Sequence, residues 1–219
     1  MKIHKLNFKK YKNIFNLFFL NLDIDLNDKK LYGIKPFRSR KILYTFFNGE
    51  TLTVIKKKGF KQRVSDDRSK KRIFKVFKPS SIQLKILNSM ILDVIDYLKT
   101  KKINITSNLD ITFHFVSIKA SVKGETNSPE GIHRDGFDIL IPCIVTERSN
   151  ITGGYSRFFI KKHNNFKLVF KNITNENYGL LVEENKNKEL YHDVTPIRLK
   201  NKNKPGYRKI IGIDINFIP

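Results

Sequence analysis

The sequence has a single cysteine, Cys143, no tryptophan and only two methionines. One cysteine excludes an internal disulfide, and its place in the apolar run ILIPCIV predicts a small buried residue in a reducing compartment. No apolar run reaches the length of a membrane span, because Asn16, Asn21 and Asp23 interrupt the early stretch 14–26. No small-residue cleavage site follows a clean apolar stretch, so we expect no signal peptide and a cytoplasmic protein.

Acidic residues are scarce, with 20 Asp and Glu against 43 Lys and Arg and a net charge of +23. Residues 1–104 carry 26 basic and 8 acidic residues, whereas residues 105–219 carry 17 and 12. The densest segment, 51–78, holds 11 basic residues opposed only by Asp66 and Asp67. Such a patch is compatible with a nucleic acid or an acidic protein partner. We do not favour that interpretation, because no interleaved aromatic repeat, zinc-finger spacing or RNA-recognition signature accompanies the charge.

The chain shows no internal repeat and no linker, so we predict one domain over residues 1–219. Residues 1–104 form a basic, mixed portion in which the strongest pattern is a helix over 81–100. Its apolar residues recur at helical spacing, and Ser81 is the predicted N-cap. Three short strands are predicted before this helix, at 42–47, 51–55 and 72–77.

Residues 105–219 have a β pattern instead, with seven apolar runs separated by turn signals. One of these turns, Gly153-Gly154, permits positive φ and a tight strand reversal. Many short strands at this spacing favour a sandwich or a barrel. The predicted fold class is therefore α+β, with N-terminal helix and strand elements packed on a C-terminal β domain.

The stretch GIHRDGFDILIP, residues 131–142, allows three interpretations. It is a kinase catalytic loop, a metal site, or a polar strand end without chemistry. The kinase loop requires an Asn five residues after its Asp to hold magnesium, and Leu140 stands at that position here. The chain also lacks a preceding Gly-rich loop and a following Asp-Phe-Gly, so the kinase interpretation is excluded.

The metal interpretation makes a geometric demand on His133 and Asp135. Side chains at positions i and i+2 of an extended chain point the same way, so both can face one ion. The best third ligand is His192, near the end of a predicted strand. Two histidines and one carboxylate form the facial set of non-haem Fe(II) oxygenases, and zinc also accepts these ligands. His114 lies on an apolar strand and is interpreted as a core histidine.

An iron oxygenase that uses 2-oxoglutarate needs a cation for the far carboxylate of this co-substrate. An arginine suits that task better than a lysine, because its planar fork matches a carboxylate. Arg208 opens the last predicted strand, sixteen residues after His192. An ordinary exposed arginine at a strand start is the alternative.

Four blocks in order along the chain resemble a known family. They are Pro129 to Gly136, Asn150 to Gly154, His192 to Ile197, and Arg208. The pattern is similar to the 2-oxoglutarate/Fe(II) dioxygenases that include the bacterial L-isoleucine 4-hydroxylase and related free amino acid hydroxylases. The similarity covers residues 108–219 well, residues 70–107 weakly, and the first 70 residues hardly at all.

The resemblance implies that His133, Asp135 and His192 bind Fe(II) and that Arg208 binds the distal carboxylate of 2-oxoglutarate. It also implies a double-stranded β-helix, the jelly-roll type of barrel. The hydroxyl residue often found two positions after that arginine is here Ile210. Another hydroxyl must then assist, and the candidates are Thr195, which we select, Tyr207 and Ser156.

The function implied is hydroxylation of a small substrate, a free L-amino acid, with Fe(II), 2-oxoglutarate and O₂ and with ascorbate as a supporting reductant. Three alternatives stay open at this point. One is a dioxygenase whose substrate is a macromolecule or is tethered to a carrier protein. The second is a non-catalytic module that binds nucleic acid or an acidic protein through segment 51–78. The third is a non-catalytic relative whose metal site is intact.

Overall fold

The computed structural model describes residues 3–57, 59–60, 72–163, 165–184 and 189–218. Residues 61–71, the centre of the basic segment 51–78, lie outside the described residues, and so does residue 58. The prediction of a basic contact surface there stays a prediction. Among the described residues, no helix combines the length and the apolar content required to cross a membrane.

The described chain is mostly antiparallel β structure with one long helix. Its strands are β1 (His4–Asn7), β2 (Arg38–Phe47), β3 (Leu52–Val54), β4 (Asn108–Lys119), β5 (Ile139–Ser149), β6 (Ile151–Gly153), β7 (Tyr155–Lys162), β8 (Asn165–Ile173), β9 (Tyr178–Val182), β10 (Leu190–Val194), β11 (Ile197–Leu199) and β12 (Tyr207–Ile218). Its helices are the short α1 (Asn27–Tyr32) and the long α2 (Ser81–Thr100), and 3-10 turns occupy Lys9–Tyr11 and Phe15–Phe18.

The strands form one large and two small antiparallel sheets. The large sheet has the order β1-β9-β5-β12-β4-β2-β3, the second has the order β10-β7-β8, and the third pairs β11 with β6. At the centre of the large sheet, β12 pairs with β4 without interruption, from Tyr207 opposite Lys119 to Ile218 opposite Asn108. The arrangement, mostly antiparallel β-sheet with one long helix, is consistent with a jelly-roll-like fold.

Helix α2 covers one face of the large sheet. Because side chains alternate along a strand, Phe113 and Phe115 of β4 share one face, as do Ile211 and Ile213 of β12. They belong to one buried apolar cluster with the helix side chains Leu87, Met90, Ile91, Val94, Ile95 and Leu98. Burying each such side chain contributes about 1.5–3 kcal/mol, so this face anchors the fold. The opposite face of the sheet is left for the site.

The N-cap of helix α2 lies one residue earlier than expected. Ser80, not Ser81, is the N-cap, and its hydroxyl accepts the N–H of Gln83 while the Gln83 side chain accepts the N–H of Ser80. This reciprocal pair is a capping box, which satisfies two N–H groups that helix geometry leaves without partners. The predicted helix 81–100 is confirmed, and the predicted cap Ser81 is wrong by one position.

One predicted strand is wrong, and one strand was not predicted. Residues 72–77 form no strand, and only Arg72 and Val76 make isolated bridges, to Phe60 and Ile42. Ile73 and Val76 are 73% and 49% exposed, and the segment has no continuous partner strand among the described residues. Conversely, the uncharacterised first residues contribute β1, which pairs with β9 at the edge of the large sheet.

Candidate metal centre

Three side chains predicted as metal ligands come together in the structure. One possible ligand atom from each of His133, Asp135 and His192 lies within 4.8 Å of the others, and all three residues are buried. His133 and Asp135 precede β5, whereas His192 lies on β10 of the second sheet. The i, i+2 geometry expected for the first two residues is therefore present, and a distant strand supplies the third.

A backbone pair brings the two histidines together. The N–H of His133 donates to the carbonyl of His192 at 2.9 Å, and the N–H of His192 donates to the carbonyl of His133 at 2.7 Å. Residues bonded in this way across antiparallel strands present their side chains on the same side. The imidazole centroids lie 4.4 Å apart as a result.

Both imidazoles turn the same nitrogen toward Asp135. His133 Nε2 lies 3.7 Å from Asp135 Oδ1, and His192 Nε2 lies 3.3 Å from Asp135 Oδ2. The Nδ1 atom of His133 is 2.8 Å from the carbonyl of Gly131, which fixes the proton on Nδ1 and leaves the Nε2 lone pair for a metal. Burial lowers the pKa of His192, but the hydrogen bond and charge of Asp135 outweigh it, so the pKa is raised.

Glu184 holds the loop that carries Asp135. Its carboxylate accepts the backbone N–H of Asp135 at 2.8 Å, of Phe137 at 3.1 Å, and of Gly136 between them. Glu184 is only 1% exposed. Burial and the neighbouring charge of Asp135 raise the pKa of Glu184, against the opposing effects of His192 and the N–H donors. A carboxylate bound by three consecutive N–H groups fixes the direction of Asp135.

The three residues open onto a cavity of about 90 Å³ between the second sheet and the polar face of the large sheet. Charged side chains line it, including Arg38, Arg40, Arg72 and Glu130. His114 and Asp214 also line it and form a buried pair, with His114 Nε2 2.8 Å from Asp214 Oδ2. His114 is buried, and it also lines the cavity.

Arg208 is fully buried, with a relative exposure of 0%. Its side chain lies on the same face of β12 as Ile210, Gly212 and Asp214, which line the cavity. None of the three guanidinium nitrogens of Arg208 has a hydrogen-bond partner among the described residues. A buried cation without partners is costly, so this side chain is suited to an anionic ligand.

The three candidate hydroxyls are engaged elsewhere. Thr195 Oγ1 accepts the N–H of Tyr155 at 2.9 Å, and the Tyr207 hydroxyl donates to Glu147 at 2.7 Å. The Ser156 hydroxyl lies 3.5 Å from that of Thr174. The structure thus brings the histidines and Asp135 together, and among the described residues no hydroxyl hydrogen-bonds to Arg208.

The donor set and the free arginine fit a particular pair of ligands. Two imidazole nitrogens and one carboxylate suit Fe(II) with open coordination positions, and Arg208 suits the far end of a dicarboxylate co-substrate. The family model of the 2OG-Fe dioxygenases matches residues 19–214. The chain belongs to the 2OG-Fe dioxygenase family. It is accordingly a non-haem iron, 2-oxoglutarate-dependent oxygenase.

Solved structures share the fold of this 2OG-Fe dioxygenase. A bsmA homolog from Methylobium petroleophilum PM1 superposes with a TM-score of 0.73 at 17% identity, covering 95% of this chain and 82% of that one. IDO from Bacillus thuringiensis gives a TM-score of 0.67 at 16% identity, with coverage of 99% and 90%. The Fe(II)/(alpha)ketoglutarate-dependent dioxygenase TqaL gives 0.58 at 14% identity, with coverage of 96% and 74%. No curated protein matches the sequence.

Several residues of this dioxygenase site had no signal in the sequence pattern. Glu184 ends a run that resembles any other strand, and its three partners lie far away in the chain. Arg38 and Arg40 lie in the portion with hardly any family resemblance, and only the pairing of β2 with β4 brings them to the cavity. Glu130 lies inside a recognised block, and its Oε1 is 3.3 Å from His133 Nε2.

Proposed function

We propose that this oxygenase hydroxylates a small substrate, a free L-amino acid, and that His133, Asp135 and His192 hold its Fe(II). The observation that supports this most is the convergence of the three buried ligand atoms within 4.8 Å. Iron, 2-oxoglutarate and O₂ together supply an oxidant for a C–H bond, with one oxygen atom entering the product and the other entering succinate as CO₂ leaves.

The chain contributes position and charge to this reaction. Glu184 and the carbonyl of Gly131 hold Asp135 and His133 in place, so that these two residues and His192 would hold the metal when it binds. Arg208 neutralises the far carboxylate of 2-oxoglutarate. Arg208 is fully buried, so this contact would form away from water, which strengthens it.

The charges around the cavity support an amino acid as substrate. Glu130 lies beside the metal ligands, and its carboxylate can accept an ammonium group once His133 Nε2 is bound to metal. Arg40 and Arg72 line the same cavity and can bind a carboxylate.

Three finer assignments belong to the same proposal. We assign the two facing sheets to a double-stranded β-helix, since the metal ligands and Arg208 lie between them. We assign the enzyme to the L-isoleucine 4-hydroxylase type, on the order of its four sequence blocks. We also propose a cytoplasmic location. The free, buried Cys143 supports it, because a free thiol is typical of a reducing compartment.

The direct test is substrate-dependent release of succinate. The purified protein is incubated with Fe(II), 2-oxoglutarate, O₂, ascorbate and each free L-amino acid in turn, and hydroxylated product and succinate are measured together. We expect stoichiometric product and succinate with at least one amino acid, and none after His133→Ala. If no amino acid raised succinate release above background, the amino acid assignment would be refuted. Full activity of His133→Ala would refute the metal site.

A further inference from the structure

A second arginine lies directly opposite Arg208 in the large sheet. Arg148 of β5 pairs with Arg208 of β12 in the antiparallel register. Directly opposite residues point to the same face of a sheet, and neighbouring strands are about 4.8 Å apart. The two guanidinium groups therefore extend from adjacent backbones into the same buried region.

Both arginines retain unused hydrogen-bonding capacity in that region. Nη2 of Arg148 donates to the carbonyl of Gly153 at 2.7 Å, but its buried Nη1 has no hydrogen-bond partner among the described residues. All three guanidinium nitrogens of Arg208 are likewise buried without a hydrogen-bond partner among the described residues. Burial and the charge of Arg208 lower the pKa of Arg148, which reflects how close the two cations are.

A glycine leaves space in front of the two arginines. Gly154 has a φ of +70°, and a Cβ built on it would lie 3.2 Å from Arg148 Nη1 and 3.8 Å from Arg208 Cδ. The bare α-carbon of Gly154 therefore borders both side chains. A side chain there would compete with any ligand for the space beside Arg148 Nη1.

Two like charges directly opposite each other in a sheet destabilise it, and burial increases the cost. A carboxylate relieves this repulsion, because its two oxygens offer about four acceptor sites and can receive both guanidinium groups. Arg38 lies in the same cross-strand row but is separated from Arg208 by Ile118, and it donates to the carbonyl of Asn127 at 3.0 Å. Arg148 is thus the nearer partner of Arg208.

We propose that Arg148 and Arg208 together bind the distal carboxylate of 2-oxoglutarate, with Arg148 in the role that a hydroxyl residue was expected to have. This inference rests on the proposed function. It follows from the unpaired Nη1 of Arg148 and from the position of Arg148 directly opposite Arg208 in the sheet. Arg148 is then a determinant of selectivity for 2-oxo acids that carry a second carboxylate.

The test measures ligand binding without turnover. The protein is loaded with Mn(II) under anaerobic conditions and titrated by calorimetry with 2-oxoglutarate and with 2-oxopentanoate, which has the same carbon chain and lacks the distal carboxylate. The variants are Arg148→Gln, Arg148→Lys and the exposed control Arg198→Gln. Melting temperatures establish that each variant is folded.

Arg148→Gln is expected to weaken 2-oxoglutarate binding by about 10- to 100-fold, the value of one or two hydrogen bonds to a charged group. Binding of 2-oxopentanoate is expected to stay within about twofold of the wild type, since that ligand offers Arg148 nothing to bind. Arg148→Lys retains the charge but loses the planar fork of the guanidinium group. Its affinity for 2-oxoglutarate is expected to lie between those of the wild type and Arg148→Gln. Arg198→Gln is expected to resemble the wild type with both ligands.

Equal affinity of Arg148→Gln and the wild type for 2-oxoglutarate would overturn the inference while leaving the proposed function intact. An equal loss for both ligands would also overturn it, because Arg148 would then only shape the fold. Should Arg148→Gln fail to fold, the same selective loss is expected from Arg148→Lys, and its absence overturns the inference. A wild-type protein that binds Mn(II) but not 2-oxoglutarate would overturn the proposed function itself.

Discussion

His133 and His192 exchange two backbone hydrogen bonds, of 2.9 and 2.7 Å, and this pair sets the distance between their imidazoles. The metal ligands are thus positioned by sheet pairing and not by side-chain contacts alone. One of them begins the segment that leads into the large sheet, and the other belongs to the second sheet. The site therefore forms only when both sheets are in place.

Replacing Glu184 by Gln should weaken metal binding. The Glu184 carboxylate accepts three backbone N–H groups around Asp135, and an amide would present its NH₂ to one of these donors. We expect Mn(II) affinity to fall by about 10- to 100-fold, as for other residues that orient metal ligands. Calorimetric titration with Mn(II) checks this, with Glu189→Gln at an exposed position as the matched control. Unchanged affinity would contradict a positioning role.

Gly212→Ala should act on the substrate and not on the fold. A Cβ at Gly212 would lie 3.6 Å from His114 Cβ and 3.7 Å from the carbonyl of Pro142, which are ordinary contact distances. Gly212 lines the cavity, so the added methyl group occupies substrate space. We expect KM for the amino acid to rise by about tenfold or more, with 2-oxoglutarate affinity and melting temperature unchanged. An unchanged KM would place the substrate elsewhere.

Gly153→Ala should instead destabilise the fold. The φ of Gly153 is +77°, and a Cβ there would lie 2.2 Å from the carbonyl oxygen of Pro196, so the backbone must shift. We expect a loss of at least about 2 kcal/mol in the free energy of unfolding. Urea denaturation compares this variant with Gly212→Ala, and equal stability of the two would show that the turn between β6 and β7 does not need glycine.

The features that could be predicted from the sequence are those that depend on the spacing of neighbouring residues. The apolar repeat of helix 81–100, the alternation of β12 and the i, i+2 relationship of His133 and Asp135 are all read from neighbouring residues. Glu184 and Arg148 were out of reach, because their roles depend on which strands pair and in what register. A shift of one residue in β5 against β12 would turn Arg148 away from Arg208.

Asp25 should make stability depend on pH. Burial alone would raise its pKa, but the charges of Arg40 and Arg38 and the hydrogen bonds from Asn27 lower the pKa below its ordinary value of 3.8. A carboxyl whose pKa is lowered on folding contributes stability above the unfolded pKa, about 3.9, and loses it as the pH falls toward the folded pKa.

Asp25→Asn is therefore expected to reduce the free energy of unfolding by about 1–3 kcal/mol at pH 7, with the difference from the wild type shrinking below about pH 4. Urea denaturation at a series of pH values checks this. Asp96→Asn is the control, because the Asp96 side chain is 75% exposed. A difference that stays constant down to pH 2 would contradict a charge-based role for Asp25.

A crystal structure of the protein soaked anaerobically with Mn(II) and 2-oxoglutarate tests the site most directly, with the metal located by its anomalous scattering. We predict one metal peak bonded to Nε2 of His133, Nε2 of His192 and the carboxylate of Asp135. The distal carboxylate of 2-oxoglutarate should lie against Arg208. A metal bound by other residues, or a co-substrate whose far end is turned away from Arg208, would contradict the proposed function.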